Sequence, residues 1–287
     1  MTSTAALMSG TGLATAIYER SHQRADAFRR QVGRRPCLAT VLVGDDHASL
    51  TYVRMKQNRS RRYGLASRDL HLPSTASTAE VLGVITELSA DADIDGILLQ
   101  HPVPEAVDER AAFEAITPAK DVDGVTMHSF AAMAFDLPGF VSCTPGGILR
   151  LIDAYQVDLQ GKHAVVIGRS PILGKPVGML LLARDATVTY CHSRTVQLDE
   201  IVRTADIVVA AVGRPNFVRG PWIKRGAVVI DAGYNRGNIG DVAFDEALAR
   251  AALITPVPGG VGPITIAMLV EQTVDAAYRR ASIDLEM

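Results

Sequence analysis

The sequence predicts an α/β protein of two domains, the second a Rossmann-type unit on a parallel sheet. Three observations predict it. Apolar, β-branched-rich runs alternate with longer stretches of helical periodicity, and a Gly- and Pro-rich segment separates two such series. One run of the second series leads into a glycine-bearing turn, a helical stretch and another apolar run. A chain of 287 residues is ample for two cores.

The predicted strands are Cys37–Val43 and Ile94–Leu99 in the first series, then His163–Ile167, Ala186–Tyr190, Ile207–Val212 and Ala227–Ile230. Phe135 to Gly147 (FDLPGFVSCTPGG) marks the boundary, so residues 1–141 form the first domain and 142–264 the second. A closing helix runs from about Thr265 to Arg280, with Ile266, Leu269, Val270 and Val274 at helical spacing, and is free to pack back on the first domain.

Composition narrows the function classes. The formal charge of −2 gives no global field for nucleic acid or an anionic membrane, which favours a small-molecule partner. Three cysteines, Cys37, Cys143 and Cys191, stand far apart without a CxxC pair, against a disulfide framework or a zinc site. Residues 1–20 lack the pattern of a signal peptide, and no run approaches the roughly 20 apolar residues of a membrane span. The expectation is a cytoplasmic protein.

In the second domain, Lys162–Arg194 reads strand, turn, helix, strand, the outline of a unit whose helix start receives a dinucleotide phosphate. The glycines depart from GxGxxG: Gly168 is followed by Arg169 and Ser170, and the next glycine is Gly174. By glycines alone this is equally an ordinary strand-to-helix turn. The second strand, however, ends in Cys191, His192, Ser193 and Arg194, where an NAD site usually carries an acid. With no acid to repel a 2′-phosphate, and with Arg169, Ser193 and Arg194 able to donate charge-assisted hydrogen bonds, NADP is favoured over NAD. AVGRP and DAGYNR place Gly213 and Gly233 at further strand carboxyl ends, where open sheets bind ligands.

In the first domain, Ser49, Tyr52 and Lys56 share a face of a helix over SLTYVRMKQNRSRRYG. Such a Tyr–Lys pair is commonplace on solvated helices. Gln100 ends an apolar strand, where an amide can face a ligand. KDVDG places Asp121 and Asp123 beside Lys120; ligand spacing for a hard cation is absent, so hydrogen bonding to a donor-rich substrate is the better reading. ITPVPGGVGPIT (Ile254–Thr265) makes a rigid loop able to approach a flat ligand closely.

Taken together and in order, LATVLVGDDHAS, YVRMK, GILLQHPVP, KDVDG, CTPGG, GKHAVVIGRS with ILGKP, TVTYCHSRT, ADIVVAAVGRP, WIKRGAVVIDAG and ITPVPGGVGPIT resemble the bifunctional methylenetetrahydrofolate dehydrogenase/methenyltetrahydrofolate cyclohydrolase family. The resemblance runs from about Leu38 to Met268. It implies a folate cleft between the domains, NADP on the Rossmann-type side and a homodimer. It implies that Lys56 is the general catalyst of hydrolysis, that Gln100 hydrogen-bonds and tunes it, and that Tyr52 packs near the folate ring with Ser49 beside it. Asp123 would bind the pterin, and Pro258, Gly259, Gly260, Val261 and Gly262 would line the folate pocket. Thr144, Gly168, Arg169, Ser170, Ser193, Arg194, Gly213, Gly233 and Tyr234 form the implied cofactor set. No metal is implied.

The chemistry suits such residues. Hydride leaves a methylene carbon flanked by two nitrogens whose lone pairs stabilise the cation, so orientation matters more than acid or base. Hydrolysis of that cation requires proton movement, which a lysine made readier by burial to shed its proton can supply. Three departures stand out. KDVDG continues as VTMHSFAAMAF instead of FHPxNxGRL, His101 replaces the usual Leu, and Tyr234 the usual Ile. They leave room for a dehydrogenase-only or specialised paralogue, or a non-catalytic NADP/folate sensor. A short-chain dehydrogenase is nearly excluded, because its nucleotide turn precedes its Tyr–Lys pair.

Overall fold

The computed structural model of the chain describes residues 5–283. The chain divides into two compact units. One takes the chain up to Ala14, Met133–Leu137 and Ser142–Thr265; the other takes Thr15–Ala132, Pro138–Val141 and the chain from Ile266 onward. No described helix is long and apolar enough to cross a membrane, and the three cysteines are free thiols.

The smaller sheet belongs to the second of these units. After β1 (Ala6–Leu7) and α1 (Thr11–Val32), strands β2 (Cys37–Val43), β3 (Ala66–Leu72) and β4 (Gly96–Leu99) form a parallel sheet in the order β3-β2-β4. They are connected by α2 (His47–Arg62) and α3 (Thr78–Ala90). β2 is apolar and almost wholly buried, as a central parallel strand must be. β3 was not foreseen: ASRDLHL is polar and half exposed because it lies at the sheet edge, where only one flank is paired. The chain returns from β3 across β2 to β4, so the carboxyl ends of β2 and β4 meet at a switch point.

Charged anchors close this unit. Arg34 grips the buried Asp95 through two bonds of 2.6 and 2.9 Å, and Arg24 pairs with Asp275 at 2.6 Å. A Ser77–Glu80 capping box starts α3. Short helices α4 (Glu109–Glu114) and α5 (Met127–Ala134) follow β4.

The other unit carries a parallel sheet in the order β1-β9-β8-β7-β5-β6, from β5 (His163–Ile167), β6 (Thr187–Cys191), β7 (Ile207–Ala210), β8 (Val228–Asp231), β9 (Leu253–Ile254) and β1. Helices α6 (Cys143–Ala154), α7 (Gly174–Leu182), α8 (Leu198–Thr204) and α9 (Phe244–Leu248) are interleaved with it. Val165, Val208 and Val229 lie in its core. β1 pairs with β9, Ala6 opposite Leu253, so the segment before α1 joins this sheet although the sequence reading assigned it to residues 1–141.

Two loop expectations are corrected. The boundary stretch ends earlier, because α6 already starts at Cys143 and carries Thr144 to Gly147; a first-turn proline needs no N–H donor. For the same reason α10 (Val261–Arg280) begins before Thr265 with Pro263 in its first turn, so Val261 and Gly262 are helical, not loop, residues.

Candidate active site

In the three-stranded unit the lysine helix and the switch point converge. Asp46 caps α2 by accepting the Ser49 N–H at 2.8 Å. Ser49, Tyr52 and Lys56 then follow at i, i+3 and i+7 on one face; Ser49 and Lys56 are buried and Tyr52 half-buried. Lys56 is only 8% exposed, and its Nζ donates to Gln100 Oε1 at 3.1 Å. Gln100 follows β4 directly, its N–H held by the Val41 carbonyl at 2.8 Å, and its Nε2 donates to the His101 carbonyl at 2.7 Å. That last bond fixes which way the amide points, so the oxygen must face the lysine.

The KDVDG residues separate into structural and available groups. Lys120 is fully buried; its Nζ donates to the Leu88 and Asp91 carbonyls at 2.9 and 2.5 Å, capping the end of α3. Burial pushes this amine down to about 8, with Arg280 acting in the same direction. Asp121, also fully buried, accepts from the Val125 and Thr126 N–H groups and from Ser129 Oγ at 3.0, 2.9 and 2.6 Å. Its lone pairs are spent on the turn, which removes it from a metal-binding reading. Asp123, half-buried two residues on, takes no part in that turn and keeps its carboxylate for other donors.

In the other unit, the switch point lies between β5 and β7. Gly168 follows β5 at φ +131°, and a Cβ there would stand 2.2 Å from the Ala211 carbonyl oxygen. The Ser170 hydroxyl accepts the Leu173 and Gly174 N–H groups at 3.2 and 3.3 Å, which starts α7 and leaves its own proton to donate outward. Arg169, Ser193 and Arg194 are exposed. The Ser193 turn is closed by Thr195, whose hydroxyl accepts the His192 N–H at 2.8 Å. Among the described residues no carboxylate pairs with the Arg169 or Arg194 guanidinium. Two unpaired guanidiniums and a hydroxyl, with no acid among them, fit a 2′-phosphate.

Asp241, which the sequence reading did not single out, organises the neighbouring loops. Its Oδ2 accepts the Val212 and Gly213 N–H groups at 2.6 and 2.8 Å, and its Oδ1 accepts the Arg214 N–H and Asn235 Nδ2 at 2.9 and 3.0 Å. Asp231 holds the Gly233, Asp241 and Val242 N–H groups, each at 2.9 Å. Burial pushes the Asp231 carboxyl up to about 6, against the pull of those three donors. Tyr234 is half exposed, and its hydroxyl donates to Asn238 Oδ1 at 2.6 Å.

The Pro256–Gly260 segment folds tightly. The Gly260 N–H returns to the Pro256 carbonyl at 2.8 Å, and a Cβ on Gly260 would lie 2.6 Å from that oxygen. Pro258 and Gly259 form its tip, and Val261 and Gly262 open α10. Thr144, half-buried on α6, receives the Thr265 hydroxyl at 3.2 Å.

Comparison with known proteins places both units in one lineage. The tetrahydrofolate dehydrogenase/cyclohydrolase catalytic domain matches residues 8–123, and the NAD(P)-binding domain of the same family matches residues 142–281. A bifunctional protein FolD 1 of Streptomyces avermitilis is 67% identical over 282 residues, covering 98% of each chain. One from Salinispora arenicola is 63% identical over 276 residues, 96% of this chain and 99% of its own. The crystal structure of the Campylobacter jejuni bifunctional FolD superposes with a TM-score of 0.93 at 40% identity, covering 96% of this chain and 99% of that one. The Trypanosoma brucei dehydrogenase-cyclohydrolase, complexed with NADP cofactor and an inhibitor, reaches 0.94 at 36% identity over 97% and 99% of the two chains. With both domains matched and more than half of all positions identical in near full-length relatives, this chain belongs to the tetrahydrofolate dehydrogenase/cyclohydrolase family.

Proposed function

We propose that the chain oxidises 5,10-methylenetetrahydrofolate to 5,10-methenyltetrahydrofolate with NADP and hydrolyses the product to 10-formyltetrahydrofolate. The observation that carries this reading is the buried Lys56 held on Gln100 at a sheet switch point, in a chain whose two domains both match the family.

Bound NADP supplies the hydride acceptor. Arg169, Arg194 and Ser193 recognise its 2′-phosphate, and Gly168 lets the backbone approach at the start of α7. Asp241 keeps the Gly213 and Tyr234 loops in place beside it. Hydride loss from the methylene carbon needs no side-chain acid or base, because the flanking nitrogens stabilise the cation; binding geometry is the contribution required.

Hydrolysis is proton work. Water bonds to the methenyl carbon, the bond from that carbon to N5 breaks, N5 takes a proton, and one proton is released. Lys56 moves these protons while Gln100 holds its amine in place. Asp123 receives the pterin donors, and Tyr52 packs on the ring with Ser49 beside it on α2. The protein works as a cytoplasmic homodimer, a compartment in keeping with three free thiols.

Two parallel absorbance assays test this: 5,10-methylenetetrahydrofolate with NADP, and methenyltetrahydrofolate supplied directly. Turnover in both is the expected result. Reduction without hydrolysis reduces the protein to a dehydrogenase, and NADP binding without turnover makes it a sensor.

A further inference from the structure

Tyr234 is 53% exposed, yet its ring is held in place. The chain leaves the carboxyl end of β8 through Gly233, whose N–H is bound by Asp231 Oδ1 at 2.9 Å. It then makes a hairpin, in which Asn235 and Ile239 pair as an antiparallel bridge and the Asn235 N–H meets the Ile239 carbonyl at 2.9 Å. Asn235 Nδ2 donates to Asp241 Oδ1 at 3.0 Å, which pins the hairpin to a fully buried carboxylate. Asn238 takes φ +60°, a left-handed conformation that Asn tolerates, and its Oδ1 accepts the Tyr234 hydroxyl at 2.6 Å. The hydroxyl is committed within the hairpin, so what Tyr234 presents at the surface is its ring.

Sheet order says which part of NADP, bound as proposed above, lies at that ring. β5 leads through the Gly168 turn into α7, where the diphosphate is received, and β6 on one side of it ends at Ser193 and Arg194, the proposed readers of the 2′-phosphate. The adenosine half then extends over β6, and the nicotinamide half over the strands on the other side, β7 and next β8. Tyr234 stands at the end of β8.

Nicotinamide is flat in both redox states, but only the oxidised ring carries a positive charge. The face of an aromatic ring attracts a cation and gains less from a neutral ring. Asp231 and Asp241, two buried carboxylates bonded to the same hairpin, act in the same direction. Arg214 and Arg236 oppose, but both are exposed, where water and salt screen them.

We propose that the ring of Tyr234 contacts the nicotinamide and favours NADP over NADPH, so that the cofactor is held for hydride transfer and let go more readily once reduced. This rests on the NADP-dependent reading of the second unit.

Equilibrium titrations without folate test it, so no turnover is needed. Affinities are measured for NADP, NADPH and adenosine 2′,5′-bisphosphate, which keeps the 2′-phosphate and lacks nicotinamide. The proteins are the wild type, Tyr234→Leu and Tyr234→Gln, which both lack the ring, and Tyr234→Phe, which keeps it, with melting temperature as the check on folding. Loss of the ring should weaken NADP about fivefold, NADPH by no more than about twofold and the bisphosphate not at all. Tyr234→Phe should stay within about twofold of wild type for all three. Equal weakening of NADP and NADPH, weakening that extends to the bisphosphate, or a loss in Tyr234→Phe as large as in Tyr234→Leu overturns the proposal. A wild type that binds neither nucleotide removes the NADP reading and this inference with it, whereas one that binds both, with the ring-less variants unchanged, contradicts the role of Tyr234 alone.

Discussion

The Asp231 carboxylate accepts the main-chain N–H of Asp241 at 2.9 Å, and the Asp241 carboxylate in turn binds the main chain of Val212, Gly213 and Arg214. Two buried acids in series thus tie the ends of β7 and β8 into one frame on the proposed cofactor side. Replacing Asp241 by Asn puts an amide where one oxygen accepted N–H groups, setting donor against donor at a fully buried side chain. The expected cost is about 2–4 kcal/mol of stability, with NADP affinity weakened at least about tenfold. Thermal melting and a fluorescence titration with NADP measure both effects.

Lys120 predicts a pH effect with a definite sign. Its amine sits at about 8 when folded, below its unfolded value, so above pH 8 the unfolded chain binds more protons and stability rises with pH until the ordinary lysine range of about 10.4 is passed. Lys120→Met should lose this rise and, with the Leu88 and Asp91 carbonyls deprived of their donor, should be destabilised by about 3 kcal/mol at neutral pH. Urea unfolding at pH 7, 8.5 and 9.5 checks slope and offset together.

Gly168→Ala sets a Cβ against the Ala211 carbonyl in a backbone region that side chains rarely adopt. The strand-to-helix turn must shift, so a loss of at least about 2 kcal/mol and failure to bind NADP are expected. Melting with and without NADP reads both.

Arg169→Gln and Arg194→Gln each remove a charge-assisted donor from the proposed 2′-phosphate site. The KM for NADP should rise about tenfold or more in each, and the KM for NAD, which lacks that phosphate, should change little. Equal effects on both nucleotides would show that these arginines do not read the 2′-phosphate.

How far the chain could be read in advance follows from local physics. β2 and β5 were legible with their observed bounds, because central parallel strands must be apolar on both faces. β3 was not, since an edge strand with exposed positions can carry Arg68, Asp69 and His71. β1 and β9 are two residues each, too short to leave a pattern, and they exist because neighbouring strands pair with them. At the candidate site, Lys56 and Gln100 were named through family resemblance; spacing alone gave only a helix face and a strand end. Asp241 left no signal, because its partners lie some 30 residues earlier and a Gly–Asp pair after a turn looks like any solvated loop. In KDVDG the acids look alike in sequence, and only the fold assigns Asp121 to the turn while leaving Asp123 available.

The most direct test of the central claim is Lys56→Met assayed for both activities in one preparation. If Lys56 carries proton transfer in hydrolysis and hydride transfer depends on orientation alone, methenyltetrahydrofolate hydrolysis should fall about 100-fold or more while NADP reduction stays within a few-fold of wild type. Loss of both activities in a folded, NADP-binding variant, or hydrolysis that persists, would contradict the account.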